Sequence, residues 1–566
     1  MSARFVRRFA LLVALTLFHP GGASAQDPPG PPRGPLPRRA PASLPGRFRH
    51  PTPALAPVAR DALTRALRSG HLSEAEYALW RAWSLFHLDE VRRRFGHVAR
   101  PDPRAATLIL RDLAARVGEL SVPDRERAMR ILARPTDGAA DPGGQGYAVP
   151  AASRCATNVC VHWVESTEDA PDLTDTDADG IPDRVETTAA VLEEVWAAEV
   201  TTLGYRPPKS DLTSPNHGPD GRLDVYLADI GPELYGYCTT DDPNAFDEGY
   251  PYWDVSAYCV LDDDHAPDQF PSTSGLEALQ VTAAHEFFHA VQFAYDWFED
   301  PWLLEGTAAW IEDEVYDDVD DDLQYLPESP LRRPDVPIDR GRGGFEYGAW
   351  IFWRFLSEYF GSGGVRDPSI IRRIWELADG SAAGPDLFSA RAAAAAVAER
   401  EWQLRWAVAD FGVWNVAPSA FYEEGTSYRA APRDRTHVIS GSRPSTGIGS
   451  LVLDHLTNRA VGIRRGSGVP RSARLLVAVD MPPYRRGSEA SVIVSYRSGA
   501  LAWFPIRLDR DGDGRRRVDF GRSVREVVLV LTNASSRYRC WMGTTLSCQG
   551  RPRDDDLRAW YIAALA

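Results

Sequence analysis

The chain of 566 residues carries 63 basic and 79 acidic side chains, a formal net charge of −16, with 44% hydrophobic and 25% charged residues. That balance describes a globular protein of roughly two to four domains. It argues against a nucleic-acid-binding surface, and beyond the N-terminus no apolar stretch is long enough to span a bilayer.

Residues 1–25 read as a secretory leader. Arg4, Arg7 and Arg8 are its basic start, "FALLVALTLF" its apolar run, and Ala23 to Ala25 its small-residue cleavage region. The expected location is therefore secreted, extracellular or periplasmic. Six cysteines, 155, 160, 238, 259, 540 and 548, fit disulfides in such a compartment, neighbour pairing being the simplest of fifteen connectivities. None has the CxxC spacing of a cysteine zinc site.

Residues 26–58 are rich in Pro, Arg and Gly and read as an extended linker. Residues 59–146 form a helical N-terminal region, from periodic runs such as "LSEAEYALWRAWSLFHLDEVRRRF" and "PRAATLILRDLAARVGEL". Residues 1–150 hold 23 Arg and no Lys against 13 acids, whereas the remainder is strongly acidic. A basic piece beside an acidic body docks on it as a propeptide would, or stays a solvated tail.

From residue 150 to about 425 strands and helices mix. "VCVHWVES", "GRLDVYLADI" and "SAYCVLDDD" read as strands. "DTDADGIPDRVE" fits a twelve-residue calcium loop. Asp175, Asp177, Asp179, Asp183 and Glu186 are its acids, Gly180 its sharp turn and Ile181 its carbonyl donor. "NHGPDGRLD" reads as a turn into a strand, and the acidic run Glu312 to Asp322 as a solvated rim.

"VTAAHEFFHAVQFAYDWFEDPWLLEGTAAW" carries the chemistry. Ser274 and Glu277 fit a capping box opening a helix from about Gly275 to Asp296. His285 and His289 share one face of it, and Glu286 lies about 100° round, beside a shared metal rather than on it. Two imidazoles so placed chelate zinc, and the carboxylate takes a proton from water. The bland alternative is a helix with two core histidines. Gln292 and Tyr295 exclude the metzincin pattern. Asp296, Asp300 and Glu305 remain as third-ligand candidates. Asp300-Pro301 suits a helix start, which places Glu305 in the second turn of an apolar helix where a carboxylate needs a partner, so Glu305 is favoured.

From about Thr436 short β-rich runs separated by Gly, Pro and Asn turns predict a β-sandwich over 435–566. "LDRDGDGRRRVD" reads as a hairpin loop rather than a second calcium site.

"HEFFH" followed by "WLLEGTAAW" resembles the gluzincin class of zinc peptidases. More narrowly, it is similar to a family of secreted bacterial metalloproteases. These pair an "AHEFFHAVQ"-type helix and an "EGTA" helix with an upstream Asp-rich calcium-type loop and a β-rich C-terminal region. The resemblance covers about residues 150–420 and, more loosely, the C-terminus. It implies zinc ligands His285, His289 and Glu305 with Glu286 as general base. Ala309 stands where thermolysin-like members have an Asp, so another residue must orient a ligand histidine, with Glu312 and Asp313 as candidates. Gluzincins often use a tyrosine on the oxyanion; Tyr347 is the candidate, with His265 behind it.

The expected fold is therefore multidomain α+β. It comprises a helical N-terminal pro-region, a zincin-like domain of a small sheet plus helices over 150–425, and a C-terminal β-sandwich. The expected function is a secreted zinc metalloendopeptidase acting on a protein or peptide substrate, with structural Ca²⁺ and no further cofactor. The competing class is a non-catalytic extracellular adhesion protein with structural zinc and calcium. The sequence holds no signal of oligomeric state or substrate preference.

Overall fold

The computed structural model describes residues 52–57, 61–140 and 146–566, apart from 232–233, 248, 271–272 and 363–364. The leader and all but the end of the linker lie outside the described residues. The rest is mixed α+β, with fourteen α-helices and several sheets among the described residues.

Five N-terminal helices span Ala62–Arg68, Glu74–Phe86, Leu88–Phe95, Ala106–Ala114 and Val122–Ile131. Ser73 and Glu76 form a complete capping box on the second. Leu63, Leu79, Leu110 and Leu113 are fully buried in one continuous core with the residues that follow. The described part of this basic region is docked and not a solvated tail. Arg134 anchors its end. Fully buried, it reaches Asp211 at 2.7 Å and Asp241 at 2.8 Å, and also pairs with Asp224. Three carboxylates around one guanidinium satisfy its fork of donors and repay its desolvation.

The central sheet has the order β1-β2-β3-β5-β4, with strands Ala152–Cys155, Val159–Trp163, Leu223–Ala228, Tyr258–Asp262 (β5) and Gly236–Thr239 (β4). β2, β3 and β5 run parallel and are wholly buried, as continuous apolar runs in covered parallel sheets are. β1 and β4 close the edges antiparallel. Disulfides join Cys155 to Cys160 and Cys238 to Cys259, each pair directly opposite across an edge, and Cys540 to Cys548.

Eleven strands follow residue 434: Arg435–Ile439 (β6), Gly449–Leu453 (β7), Thr457–Arg465 (β8), Arg474–Asp480 (β9), Ser488–Tyr496 (β10), Leu501–Pro505 (β11), Asp513–Asp519 (β12), Val524–Asn533 (β13), Tyr538–Arg539 (β14), Arg551–Pro552 (β15) and Leu557–Leu565 (β16). Most lie in two sheets, β11-β10-β13-β8-β6 and β12-β9-β16-β7. Val461, Val492 and Leu529 of the first share a core with Val477, Val479 and Tyr561 of the second. The outer face of the first sheet packs on helix Leu404–Val416 through Val413, Ala460, Ile493 and Val528. Asp509 accepts the N–H groups of Asp511, Gly512 and Asp513, so "LDRDGDG" is a closed hairpin turn.

Two local expectations fail. The helix bearing His285 and His289 runs Gly275–Tyr295 and Ser274 makes no side-chain cap bond, so the capping box is absent. The next helix does begin at Pro301, but the Asp300 carboxylate accepts the N–H groups of Cys548 and Gln549 at 2.6 and 3.3 Å instead of capping it.

Candidate metal centre

His285 and His289 lie one turn apart on a helix buried along most of its length. Their Nε2 atoms are 3.1 Å apart. Glu305, from helix Pro301–Val315, brings its Oε2 to 3.4 Å from His285 Nε2 and 3.5 Å from His289 Nε2. Ligands about 2.0–2.1 Å from a tetrahedral zinc lie about 3.3 Å from one another, so the donor set fits that ion. Glu305 is fully buried, and neither of its oxygens accepts a hydrogen bond among the described residues. Buried polar atoms are normally satisfied, so this carboxylate calls for a cation. Asp296 and Asp300, the other third-ligand candidates, are not in the cluster.

Each histidine is aimed by its second nitrogen. His285 Nδ1 is 2.6 Å from Glu312 Oε1, and His289 Nδ1 is 2.7 Å from Gln292 Oε1. Gln292 is itself fixed, donating to the Leu304 carbonyl at 2.9 Å and the Thr307 hydroxyl at 3.1 Å. These contacts set the tautomer that turns both Nε2 atoms toward Glu305. Of the two orienting candidates Glu312 does this; Asp313 pairs with Arg354 instead. The acidic run is not a simple solvated rim, because Glu312, Asp313 and Asp322 are buried.

Electrostatics follow the geometry. Burial pushes Glu305 up, but the two imidazoles outweigh it and hold its carboxyl down at about 2. Burial pushes His285 down, yet Glu305 and Glu312 hold it well above its ordinary value. Glu286 is raised by burial, against the pull of His289 and His285.

Two glycines let the elements close in. A Cβ on Gly236 of edge strand β4 would sit 2.9 Å from Thr282 Cγ2 and 3.1 Å from Glu286 Cγ. One on Gly306 would sit 2.6 Å from Trp353 Nε1. A larger residue at 236 would push β4 off the histidine-bearing helix, and one at 306 would force the Glu305 helix off the helix that carries Trp353.

Tyr347 stacks on His285, ring centroids 6.1 Å apart and planes 17° from parallel. Its hydroxyl donates to the Arg104 carbonyl. Nearby, Thr107 donates to Glu286 Oε2 at 3.2 Å and accepts the Cys238 N–H of β4 at 3.0 Å. The segment from Arg104 to Thr107 thus lies in the cleft lined by Tyr235, His285, Glu286, Tyr325 and Tyr347. No sequence signal marks Arg104 or Thr107 as site residues. His265 is buried elsewhere, its Nδ1 2.8 Å from Arg184 Nη2, and does not line this cleft.

The calcium loop is partly assembled. Asp175, Asp177 and Asp179 converge, and Gly180 takes φ of +90° at the turn. Asp175 accepts the Gly180 N–H at 2.9 Å. Asp183 turns to the Thr176 N–H at 2.9 Å, Glu186 pairs with Arg154, and the Ile181 N–H bonds Asp179 Oδ1 at 2.9 Å. Of the five expected carboxylate ligands, Asp175, Asp177 and Asp179 are brought together.

No family model matches the chain, and no curated protein matches it. Among solved structures, a family GH115 4-O-methyl-alpha-glucuronidase with specificity for decorated arabinogalactans aligns at 10% identity and a TM-score of 0.12. The alignment covers 51% of this chain and 38% of that one. The chain therefore spans well under half of that neighbour's length, and the likeness carries no argument about fold or function.

Proposed function

We propose that this chain is a secreted zinc-dependent endopeptidase of the gluzincin type, kept latent by its own N-terminal region. The observation that carries the reading is the fully buried Glu305 carboxylate, which accepts no hydrogen bond among the described residues and faces two histidines that Glu312 and Gln292 hold in the ligating orientation. Residues 150–425 are then the zincin-like domain and 435–566 a β-sandwich appendage. The leader and three disulfides suit an oxidising, extracellular setting. No helix among the described residues is long and apolar enough to cross a membrane.

A zinc ion held by His285, His289 and Glu305 would supply Lewis acidity to a peptide carbonyl and lower the pKa of water. Glu286 takes a proton from the attacking water as its oxygen bonds to the carbonyl carbon. Glu286 then returns that proton to the amide nitrogen as the C–N bond breaks. Tyr347 donates its O–H to the oxyanion.

The Arg104–Thr107 segment occupies these same groups. The Arg104 carbonyl receives the Tyr347 hydroxyl as a substrate carbonyl would, and Thr107 holds the base. Latency by occupation needs no thiolate, and residues 1–150 contain no cysteine. The test is metal analysis of the processed protein together with cleavage-site profiling on a broad peptide library. About one zinc per chain and specific peptide cleavage are expected. A processed protein that holds zinc and cuts nothing overturns the enzyme reading and favours a structural zinc site.

A further inference from the structure

A second acidic cluster lies apart from the metal centre. Asp229, Asp262 and Asp263 each place a carboxylate oxygen within 4.8 Å of the others. Asp229 follows the end of β3 and Asp262 ends its parallel neighbour β5, so the sheet itself brings them together. Asp262 is fully buried and Asp263 only 7% exposed.

The bonding of Asp262 is incomplete. Its Oδ1 accepts the N–H groups of Asp264 and His265 at 3.3 and 2.7 Å. Its Oδ2 is buried and accepts nothing among the described residues. Gln269 donates weakly to Asp229 Oδ1 at 3.5 Å, and its own Oε1 is likewise buried with no donor. The neighbouring cation, Arg184, acts on the Asp262 and Asp263 carboxylates through space only. It donates to the backbone carbonyl of Asp263 at 2.9 Å and meets His265 Nδ1 at 2.8 Å, and it forms no ion pair with the three carboxylates among the described residues.

Three converging carboxylates with one nearby cation, Arg184, that makes no salt bridge to them carry excess negative charge, which must be met by protonation or by a bound cation. Burial already pushes Asp262 up to about 8 and Asp263 to about 7. All the candidate donors are oxygens, with neither imidazole nor thiolate, which selects a hard cation over zinc.

We propose that Asp229, Asp262 and Asp263, with the Gln269 side-chain carbonyl, form a calcium site distinct from the Asp175–Glu186 loop. Its position gives it a task. Gly275, first residue of the helix bearing His285, donates its N–H to the His265 carbonyl at 2.9 Å, so calcium at Asp262 and Asp263 braces the entry to that helix. Arg184, on the helix that follows the calcium loop, ties the two sites together. This inference does not depend on the protease reading.

The test is calcium titration by calorimetry on the full, zinc-saturated chain after chelation of calcium. The Asp175→Ala variant, at the first position of the loop where Asn and Ala are not ligating alternatives, disables the loop and leaves the second cluster intact, so it must still bind about one calcium. Adding Asp263→Asn should abolish that binding while near-UV circular dichroism stays unchanged. Asp229→Asn, at the less buried ligand, repeats the test where Asp263→Asn fails to fold. An Asp175→Ala chain that binds no calcium, or one whose remaining calcium survives both second-site variants, overturns the proposal.

Discussion

Thr107 donates its hydroxyl to Glu286 across 179 residues of sequence, at 3.2 Å and in a buried setting. The same hydroxyl accepts the Cys238 N–H, so one small side chain joins the N-terminal region, the edge strand and the proposed base. Thr107→Val removes both bonds. It leaves a buried carboxylate and a buried N–H unpaired, each worth about 1–3 kcal/mol. Docking of the N-terminal region should loosen, and peptide hydrolysis should appear in uncut protein where the wild type shows none. Equal hydrolysis by uncut wild type and variant would contradict latency by occupation.

Glu312 and Gln292 aim the ligand histidines, so they should act on metal affinity before chemistry. Glu312→Ala or Gln292→Ala should weaken zinc binding roughly 10- to 100-fold in a competition titration with a chromophoric chelator. Glu312→Gln, which still accepts a hydrogen bond, should recover part of the loss. Unchanged affinity in both alanine variants would remove them from the site.

Tyr347→Phe keeps the stack on His285 and removes only the hydroxyl. In processed protein kcat should fall about 10²- to 10³-fold with KM little changed, the pattern of a donor used mainly on the developing oxyanion. A change confined to KM would make Tyr347 a substrate-binding aromatic.

The sequence made part of this site legible. HExxH fixes three residues, and the apolar setting of Glu305 identifies a carboxylate in need of a partner. Gln292 entered only as a departure from another motif, yet it holds His289, because an i+3 amide on one helix turn carries no signature of its own. Arg104 and Thr107 were invisible, since docking across so long a separation leaves no local pattern. In the fold, apolar strands such as Val524–Asn533 (β13) are plain. β4 is four residues containing Gly and Cys, and β8, "TNRAVGIRR", mixes polar residues through a central strand. Both escape a search for alternation. Glu312 to Asp322 looked solvated because charge density reads as exposure. Three of its acids are buried, Glu312 against His285 and Asp313 against Arg354.

The C-terminal sheets are tied to the body by a charged histidine. His455 has Nδ1 2.7 Å from Asp555 and Nε2 3.0 Å from Asp339, so both nitrogens donate and the ring is cationic. Burial opposes that charge, but Asp339 and Asp555 raise the imidazole to about 10, and His455 helps hold Asp339 down at about 2. A histidine raised on folding stabilises fully below its unfolded value of about 6.5, and the gain is lost as pH climbs through about 10. Asp339 contributes above about 4 and loses that contribution as pH falls through about 2. Melting temperature should therefore decline from pH 7 toward 10. His455→Gln should cost on the order of 3 kcal/mol at neutral pH and flatten the alkaline decline. A variant whose alkaline profile parallels the wild type would contradict the assignment.

The most direct test of the central claim is Glu286→Gln in the processed chain, measured for zinc content and peptide hydrolysis together. Glu286 lies beside the ligands rather than among them, so zinc should stay near one per chain while hydrolysis falls by about 10²-fold or more. Hydrolysis at the wild-type rate with zinc retained would contradict the assignment of Glu286 as the base.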